Sequence, residues 1–221
     1  MFPRIGCRSL VALVCLLSLA SLARADDTEV REFSIFIDGK EAGMSRMTVL
    51  QKDDGTAFMS ATVDVKFRQI IADYTLKVES QEWWKNGQLV GMKTTSVENG
   101  KKNELAVALD DQQLRLRYNG KDGLLKSEVW PNSYWKLADA RFHNKQLPVL
   151  EIDHGKEVVC ELKYVGTDKL KIGELQECYH FRVSASNGPV DLWFDRYHRL
   201  VRQEFTELGH KTIVQLTKVT R

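Results

Sequence analysis

The feature that most constrains the fold is a series of extended segments separated by two-residue turns. The clearest example lies between Tyr74 and Lys102, where Asn86-Gly87 and Asn99-Gly100 interrupt segments with an alternating apolar pattern. Asn-Gly tolerates positive φ at both central positions of a turn, so this pair between extended segments is the strongest short-range signal for a β-hairpin. The stretch therefore predicts antiparallel strands on both sides of each turn.

The same plan recurs along most of the chain. Between Met59 and Arg68 apolar and polar side chains alternate throughout, which is typical of a strand with one buried face. Turn residues recur at spacings of roughly 8–12 residues, and we expect about eleven strands. This pattern predicts a mainly β protein, with a curved antiparallel sheet that forms a half-barrel or an open barrel with a polar outer face.

One segment departs from the alternation. Between Pro131 and His143 the apolar residues fall near helical spacing, and Asn132 stands where an N-cap residue would. We expect one helix of about three turns here, roughly 18 Å long. Its apolar side needs a partner, and the inner face of the sheet is the largest apolar surface that the sequence offers. The sequence thus predicts one helix packed against the inner face of the sheet.

The first 25 residues have the pattern of a secretory signal peptide. Arg4 and Arg8 precede a mostly apolar stretch, and Ala23-Arg24-Ala25 has the small-x-small form of a cleavage site. We therefore expect residues 1–25 to be removed and residues 26–221 to form a single β half-barrel domain. The predicted location is the periplasm of a Gram-negative type envelope, or the exterior. The apolar stretch is too short to span a membrane, so we expect no transmembrane segment in the processed protein.

The charge balance gives no reason to expect a nucleic-acid partner. The chain has 32 basic and 30 acidic residues, and the predicted signal peptide holds three of the arginines and no acidic residue. Subtracting those three leaves 29 basic against 30 acidic side chains, a net charge of −1. Charges of both signs are interspersed, whereas nucleic-acid binding needs a concentrated basic surface.

The histidines and cysteines predict neither a metal site nor a cofactor. None of the five histidines forms a short ligand pair such as H-x-x-x-H, and the chain has no P-loop or G-x-G-x-x-G motif. Cys160 and Cys178 remain after the predicted processing. An oxidising compartment would allow a disulfide between them, and the alternative is that each is a small buried hydrophobe.

Two groups of carboxylates lie beside tryptophans. Glu79 and Glu82 precede Trp83-Trp84, while Asp191 and Asp195 bracket Trp193. A carboxyl group beside an aromatic ring can have a raised pKa, and carboxylate pairs near tryptophans occur in enzymes that cleave sugars. The alternative is that these charges solvate the outer face of the sheet. The pattern keeps open a glycan hydrolase with these residues at its site.

The large aromatic side chains predict an interior binding cavity. Trp84 should share the inner face with Tyr74, and Trp83 should share the outer face with Glu79, because successive strand residues point to opposite faces. A curved sheet with a helix across its mouth can leave an apolar cavity. We expect this cavity to be lined by Tyr74, Trp84, Tyr134, Trp135 and Phe142. The alternative is that the helix fills the space and the rings only pack.

Four stretches together resemble a known family. They are FIDGKEAG, SQEWWKNGQLVGMKTTSVENG, PNSYWKL and NGPVDLWFDRYHRLVRQEF. The chain resembles the exported bacterial proteins grouped as domain of unknown function 6134, which are similar in outline to periplasmic domains with the lipoprotein-carrier fold. The resemblance implies a curved antiparallel sheet around a helix and a location in the cell envelope. It implies no catalytic residues.

Three functions are consistent with the sequence. The leading hypothesis is a non-catalytic envelope protein that binds or carries an apolar or amphipathic ligand, such as a lipid. The second is an envelope hydrolase that acts on a glycan. The third is a scaffolding module that binds another envelope protein along a sheet edge.

Overall fold

The Asn-Gly and Asp-Gly pairs form the two-residue turns that the sequence predicts. In the computed structural model, which describes residues 27–68, 73–126, 128–185 and 188–221, Asn86 has a φ of 49° and Gly87 a φ of 80°. Positive values at both positions give a turn whose twist matches that of the flanking strands. The same combination recurs at Asp38-Gly39, Asn99-Gly100 and Asn119-Gly120. These turns join successive strands into a meander.

The described residues form fifteen strands. They are β1 (Asp27–Ile37), β2 (Lys40–Gln51), β3 (Thr56–Arg68), β4 (Asp73–Lys85), β5 (Gln88–Glu98), β6 (Lys101–Asp110), β7 (Gln113–Tyr118), β8 (Lys121–Leu125), β9 (Trp130–Pro131), β10 (Lys145–Glu151), β11 (Lys156–Ile172), β12 (Glu174–Ala185), β13 (Gly188–Phe194), β14 (Leu200–Glu207) and β15 (His210–Thr220). The prediction of about eleven strands is therefore wrong. Strands as short as β8 and β9 offer too few residues for an alternating pattern to reveal them.

All fifteen strands belong to one curved sheet. Their spatial order is β8-β7-β6-β5-β4-β3-β2-β1-β15-β14-β13-β12-β11-β10-β9, so the first and last strands of the chain lie side by side at its centre. Neighbours pair antiparallel, except that the two residues of β9 run parallel to β10. This order confirms the prediction of a mainly β protein with a curved antiparallel sheet.

Side chains connect the two ends of the sheet. The hydroxyl of Tyr118 donates a hydrogen bond to the carbonyl of Asp153 at 2.6 Å, and the backbone N–H of Lys126 donates to Glu157 Oε2 at 2.7 Å. Gly155 lies so close to the ring of Tyr118 that a Cβ atom there would overlap the ring. We call these five residues the seam. Because the seam consists of side-chain contacts and not of a strand ladder, the sheet is an open barrel.

The segment predicted as a helix, Pro131–His143, is not α-helical. Tyr134 has a φ of 46°, in the left-handed region that an α-helix of L-residues excludes. Backbone N–H groups of the segment bond to other elements instead. The N–H of Asn132 donates to the carbonyl of Leu150, and the N–H of Leu137 donates to the carbonyl of His198. Asn132 is therefore not an N-cap.

The same part of the chain enters the barrel as an irregular strip. We call residues 129–139 the interior segment. Seven of its residues are buried, namely Val129, Trp130, Pro131, Tyr134, Trp135, Leu137 and Ala138. A single 3₁₀ turn, Ala140–Phe142, follows it. An irregular segment that is buried inside a barrel can have apolar residues at spacings of three and four. The same spacing is typical of an amphipathic helix, and for this reason the sequence pattern predicted a helix here.

The predicted signal peptide, residues 1–25, lies outside the described residues. Among the residues that the structure does describe, no helix is long and apolar enough to cross a membrane.

Candidate functional site

The barrel is packed at one end and hollow at the other. A cavity of about 540 Å³ opens inside the sheet, a volume within the roughly 300–1,000 Å³ range of small-molecule sites. Its wall is built from inward-facing apolar residues of several strands. They include Ile35, Ile37, Val63, Leu76, Val190 and Phe205. Successive strand residues point to opposite faces of the sheet, and these residues lie on the face that points into the barrel.

The interior segment forms the floor of the cavity. Asn132, Ser133 and Tyr134 reach it from that segment, and Cys160 reaches it from β11. The mouth lies at the opposite end, where turns connect the strands. Leu208 lines the cavity there although 80% of its surface is exposed, so the cavity is open to solvent at this end.

The structure brings two of the five predicted cavity residues to this site. Tyr74 lies at the mouth and Tyr134 at the floor. Trp84 and Trp135 are buried deeper, on the packed side of the interior segment, and Phe142 is half-buried against the same core. The apolar wall residues were missed because alternation identifies an inner face but not which part of that face remains uncovered.

A buried carboxyl group lies within the packed end. Glu82 has no exposed surface, and its Oε2 accepts hydrogen bonds from the indole N–H groups of Trp84 and Trp135, each at 2.9 Å. Its other oxygen, Oε1, has no hydrogen-bond partner among the described residues. Burial raises the pKa of Glu82 above its ordinary value, since an ionised carboxylate is poorly solvated there. The nearby hydroxyl of Ser133 and the two indole N–H groups oppose this effect. Glu82 thus joins β4 to the interior segment.

Three tryptophan rings surround the ammonium group of Lys136. Its Nζ lies 4.3 Å from the ring centroid of Trp84, 4.9 Å from that of Trp135 and 5.3 Å from that of Trp130. Burial lowers the pKa of Lys136 to about 8, and the nearby carboxyl of Glu82 acts in the opposite direction. None of these groups lines the cavity. Their contacts hold the interior segment in place, so they set the position of the cavity floor.

Carboxylates dominate the mouth of the cavity. Glu151 lines it from the end of β10, Asp153 from the turn that follows, and Glu207 from the end of β14. Burial, together with the negative charge of Glu98, raises the pKa of Asp153 and of Glu207 above ordinary values. In the described part of the chain, neither Asp153 nor Glu207 forms an ion pair, and no basic residue lines the cavity.

The structure separates the predicted acidic and aromatic residues. Glu79 lies on the outer face in an open groove lined mainly by polar residues, while Glu82 is buried on the inner face of the same strand. Five strands lie between β4 and β13, which carries Asp191. At about 4.8 Å between adjacent strands, Glu79 and Asp191 are much farther apart around the outer face than the roughly 5–10 Å between paired glycosidase carboxylates.

The other carboxylates of this set are engaged in local contacts. Asp191 lies 2.8 Å from His180 Nε2 and accepts a hydrogen bond from Arg182, and Trp193 stacks on His180 with 4.3 Å between ring centroids. Asp195 is buried and accepts hydrogen bonds from the backbone and side chain of Arg199. These contacts stabilise strand pairs and a turn, and they leave no carboxylate pair that faces a shared cleft.

Cys160 and Cys178 are both free and buried, so the disulfide that the sequence allowed is not formed. The strand register explains this result. Cys178 lies opposite Asp168, eight residues along β11 from Cys160, and a rise of about 3.3 Å per residue places the two thiols far beyond disulfide range. Among the described residues no group of three His, Cys, Asp or Glu side chains is arranged to hold a metal ion.

The fold and the cavity define the class of protein to which this chain belongs. It is an open β-barrel with meander topology and a solvent-accessible apolar cavity. The model of one family, described as domain of unknown function (DUF6134), matches residues 33–217, and the chain belongs to that family.

A solved structure has the same overall fold. It is described as a β-barrel-like protein of domain of unknown function DUF1849 from Brucella abortus. The two structures align with a TM-score of 0.60 and 6% sequence identity, over 87% of this chain and 97% of the other. At that identity the likeness shows the fold alone. Comparison with the curated proteins finds no match.

Proposed function

We propose that the protein is an exported, non-catalytic envelope protein that binds an apolar or amphipathic ligand inside its open barrel. The observation that carries this proposal is the cavity of about 540 Å³. Protein interiors are normally packed as densely as organic crystals. The side chains that line an empty apolar space lack the van der Waals contacts that such packing provides. A bound apolar group would restore those contacts.

Export is supported by the signal-peptide pattern of residues 1–25. The test is fractionation of the producing cell followed by N-terminal sequencing of the recovered protein. We expect the protein in the periplasmic or the secreted fraction, with Asp26 as its first residue. Recovery from the cytoplasm with an intact N-terminus would contradict this part of the proposal and leave the binding part untouched.

Ligand binding is tested with a variant that fills the cavity. Val63 lines the wall and is only half-buried, so Val63→Trp should direct an indole ring into the open space. Thr62→Trp places the same ring on the outer face of the same strand and is the matched control. We expect Val63→Trp to weaken binding of a fluorescent apolar probe at least about tenfold, a change of 1.4 kcal/mol, and Thr62→Trp to leave it unchanged.

The native ligand is sought in a second experiment. Protein purified from its own cell envelope is analysed by native mass spectrometry and by solvent extraction. We expect a bound lipid or another apolar molecule that is absent from the Val63→Trp variant. The proposal fails if no such molecule co-purifies and the extracted protein binds no apolar probe.

The hydrolase and scaffolding functions have less support. A glycan hydrolase needs two carboxylates across a cleft, whereas Glu79 and Glu82 lie on opposite faces of β4 and Asp191 is already paired with Arg182. A scaffold that binds through a sheet edge would use β8 or β9, which have five and two residues. Such short edges offer few backbone groups for strand addition.

A further inference from the structure

The charge distribution around the cavity is one-sided. Of the residues that line it, Glu151, Asp153 and Glu207 are acidic and none of the described ones is basic. All three lie at the mouth, whereas the wall below them is uncharged and mostly apolar. A ligand that fills the wall with an apolar chain would therefore place its polar end among carboxylates.

Basic residues lie in the turns at this end of the barrel, namely Lys40, Lys101, Lys121 and Lys156, but none of them lines the cavity. Within the described residues, His154 is the positive group that acts on Asp153 and Glu207. His154 lies 3.8 Å from Glu151, and its side chain is 72% exposed. In the adjoining turn His210 contacts Asp38 at 2.6 Å, and Lys211 contacts Glu204 at 2.7 Å. His154 is thus close to one mouth carboxylate, and His210 and Lys211 contact acids outside the mouth. Within the described residues, Asp153 and Glu207 form no ion pair.

One more carboxylate, Glu98 at the end of β5, adds to the negative potential. It lies close enough to the hydroxyl of Tyr74 to interact, and burial together with the charge of Glu98 raises the pKa of Tyr74, which therefore stays neutral. The mutual repulsion of the carboxylates also raises the pKa of Glu207 and of Asp153. A cation among these groups would relieve that repulsion.

We infer that the ligand is a cationic amphiphile, with an apolar chain inside the barrel and an ammonium-type head group held by Asp153 and Glu207 at the mouth. This inference rests on the proposed function, because it names the chemistry of the molecule that occupies the same cavity. It goes further by assigning the ligand's orientation, its charge and the two residues that select it.

The test uses three probes with the same decyl chain, each below its critical micelle concentration. They are the cationic decyltrimethylammonium, the neutral decyl maltoside and the anionic decyl sulfate. Each is titrated at low salt, in a calorimeter, into the mature protein from which bound lipid has been removed by solvent extraction. We expect the cationic probe to bind about tenfold more tightly than the neutral one, and the anionic probe to bind more weakly than both. A fourth probe, zwitterionic decyl phosphocholine, is then compared with decyltrimethylammonium. The tighter of the two shows whether the mouth prefers a phospholipid head group or a simple ammonium group.

The selecting residues are tested with the double variant Asp153→Asn/Glu207→Gln. Each replacement keeps the size of the side chain and removes a charge that partial burial disfavours, so we expect the double variant to fold. We expect the affinity for the cationic probe to fall to that of the neutral probe, whose own affinity stays within about twofold. The double variant Asp53→Asn/Glu174→Gln removes the same net charge from exposed positions at the other end of the barrel, and it should keep the cation preference.

The outcomes separate this inference from the proposed function. If the neutral probe does not bind, the cavity takes no apolar ligand and the proposed function itself fails. If the neutral probe binds and the cationic probe binds no better, or if both double variants lose the preference equally, only the inference about the head group is overturned.

Discussion

Glu82 shows how one residue can combine an energetic cost with a structural role. Its carboxyl accepts the indole N–H groups of Trp84 and Trp135, which would otherwise be buried without an acceptor. Burial of the same carboxyl raises its pKa, so the group favours the protonated form. A neutral carboxyl still accepts hydrogen bonds through its carbonyl oxygen, which makes the arrangement consistent with a core position.

The titration of Glu82 should be visible in the stability of the fold. The folded state holds the proton to higher pH than the unfolded state, so the unfolded state binds fewer protons above about pH 4.3 and stability falls as pH rises. Glu82→Gln keeps an acceptor and has no proton to lose. We expect the free energy of unfolding of Glu82→Gln relative to the wild type to increase between pH 4.5 and pH 8, by up to about 1.4 kcal/mol per pH unit.

Chemical denaturation at several pH values measures this difference. Glu79→Gln removes one carboxyl from the outer face of the same strand and controls for the change in net charge. Glu82→Leu, which leaves two indole N–H groups without an acceptor, should instead destabilise the protein at every pH, by about 1–3 kcal/mol for each N–H group. A difference between wild type and Glu82→Gln that does not vary with pH would show that this carboxyl has an ordinary pKa.

At the scale of elements, strands and turns could be predicted and the interior segment could not. Asn86-Gly87 and the alternation around Val63 are local signals, because turn dihedrals and side-chain direction depend on a few neighbouring residues. Tyr134 and Leu137 have helical spacing, yet their backbone adopts whatever path fits the inside of the barrel. Tertiary packing overrides local pattern in a segment whose hydrogen-bond partners lie on other strands.

The seam is the element-scale contact that closes the barrel, and Gly155 is its most sensitive position. Gly155 has a φ of +57° and no room for a Cβ atom beside Tyr118. Gly120 also has a positive φ, of +77°, but open space around it. We expect Gly120→Ala to cost about 1 kcal/mol from backbone strain, and Gly155→Ala to cost about 1–3 kcal/mol more because the ring of Tyr118 must move.

Thermal and chemical unfolding of the two glycine variants give the comparison directly. Because both substitutions place alanine at positive φ, their difference isolates the overlap with Tyr118. Tyr118→Phe, which removes only the hydrogen bond to Asp153, should cost about 1 kcal/mol. Equal effects of Gly155→Ala and Gly120→Ala would mean that the seam opens without penalty and does not hold the ends of the sheet together.

At the scale of the whole molecule, the binding site depends on how the sheet closes. Asp153 and Glu207 are far apart in sequence, and Asp153 lies in a turn that carries no motif. They share one mouth because β10 and β14 end at the same side of the barrel. Predicting that convergence requires the strand order and the position of the interior segment, both of which are non-local. The sequence therefore indicated a cavity and some aromatic residues near it, but not its charge.

Asp153 and Glu207 at the mouth should make the binding of a cation depend on pH. Because the pKa values of Asp153 and Glu207 are raised, chiefly by burial, the two groups gain protons at higher pH than ordinary carboxyl groups as pH falls. Each proton gained removes a charge that attracts the ligand. We expect the affinity for decyltrimethylammonium to decrease as pH is lowered from 8 to 5, while the affinity for decyl maltoside stays constant.

Other groups around the mouth must be separated from this effect. Protonation of His154 adds a positive charge and would weaken cation binding in the same direction, while Glu98 and Glu151 would act like the two rim carboxylates. His154→Gln removes the first contribution and should leave most of the pH dependence. Asp153→Asn/Glu207→Gln should remove most of it, since the two groups closest to the head group no longer titrate.

Thermal unfolding gives a second measurement. The increase in melting temperature that the cationic probe produces should depend on pH in the wild type and much less in the double variant, because a ligand that binds the folded state more tightly stabilises it more. If the double variant kept the full pH dependence, the head group would lie elsewhere and the mouth would not select the ligand.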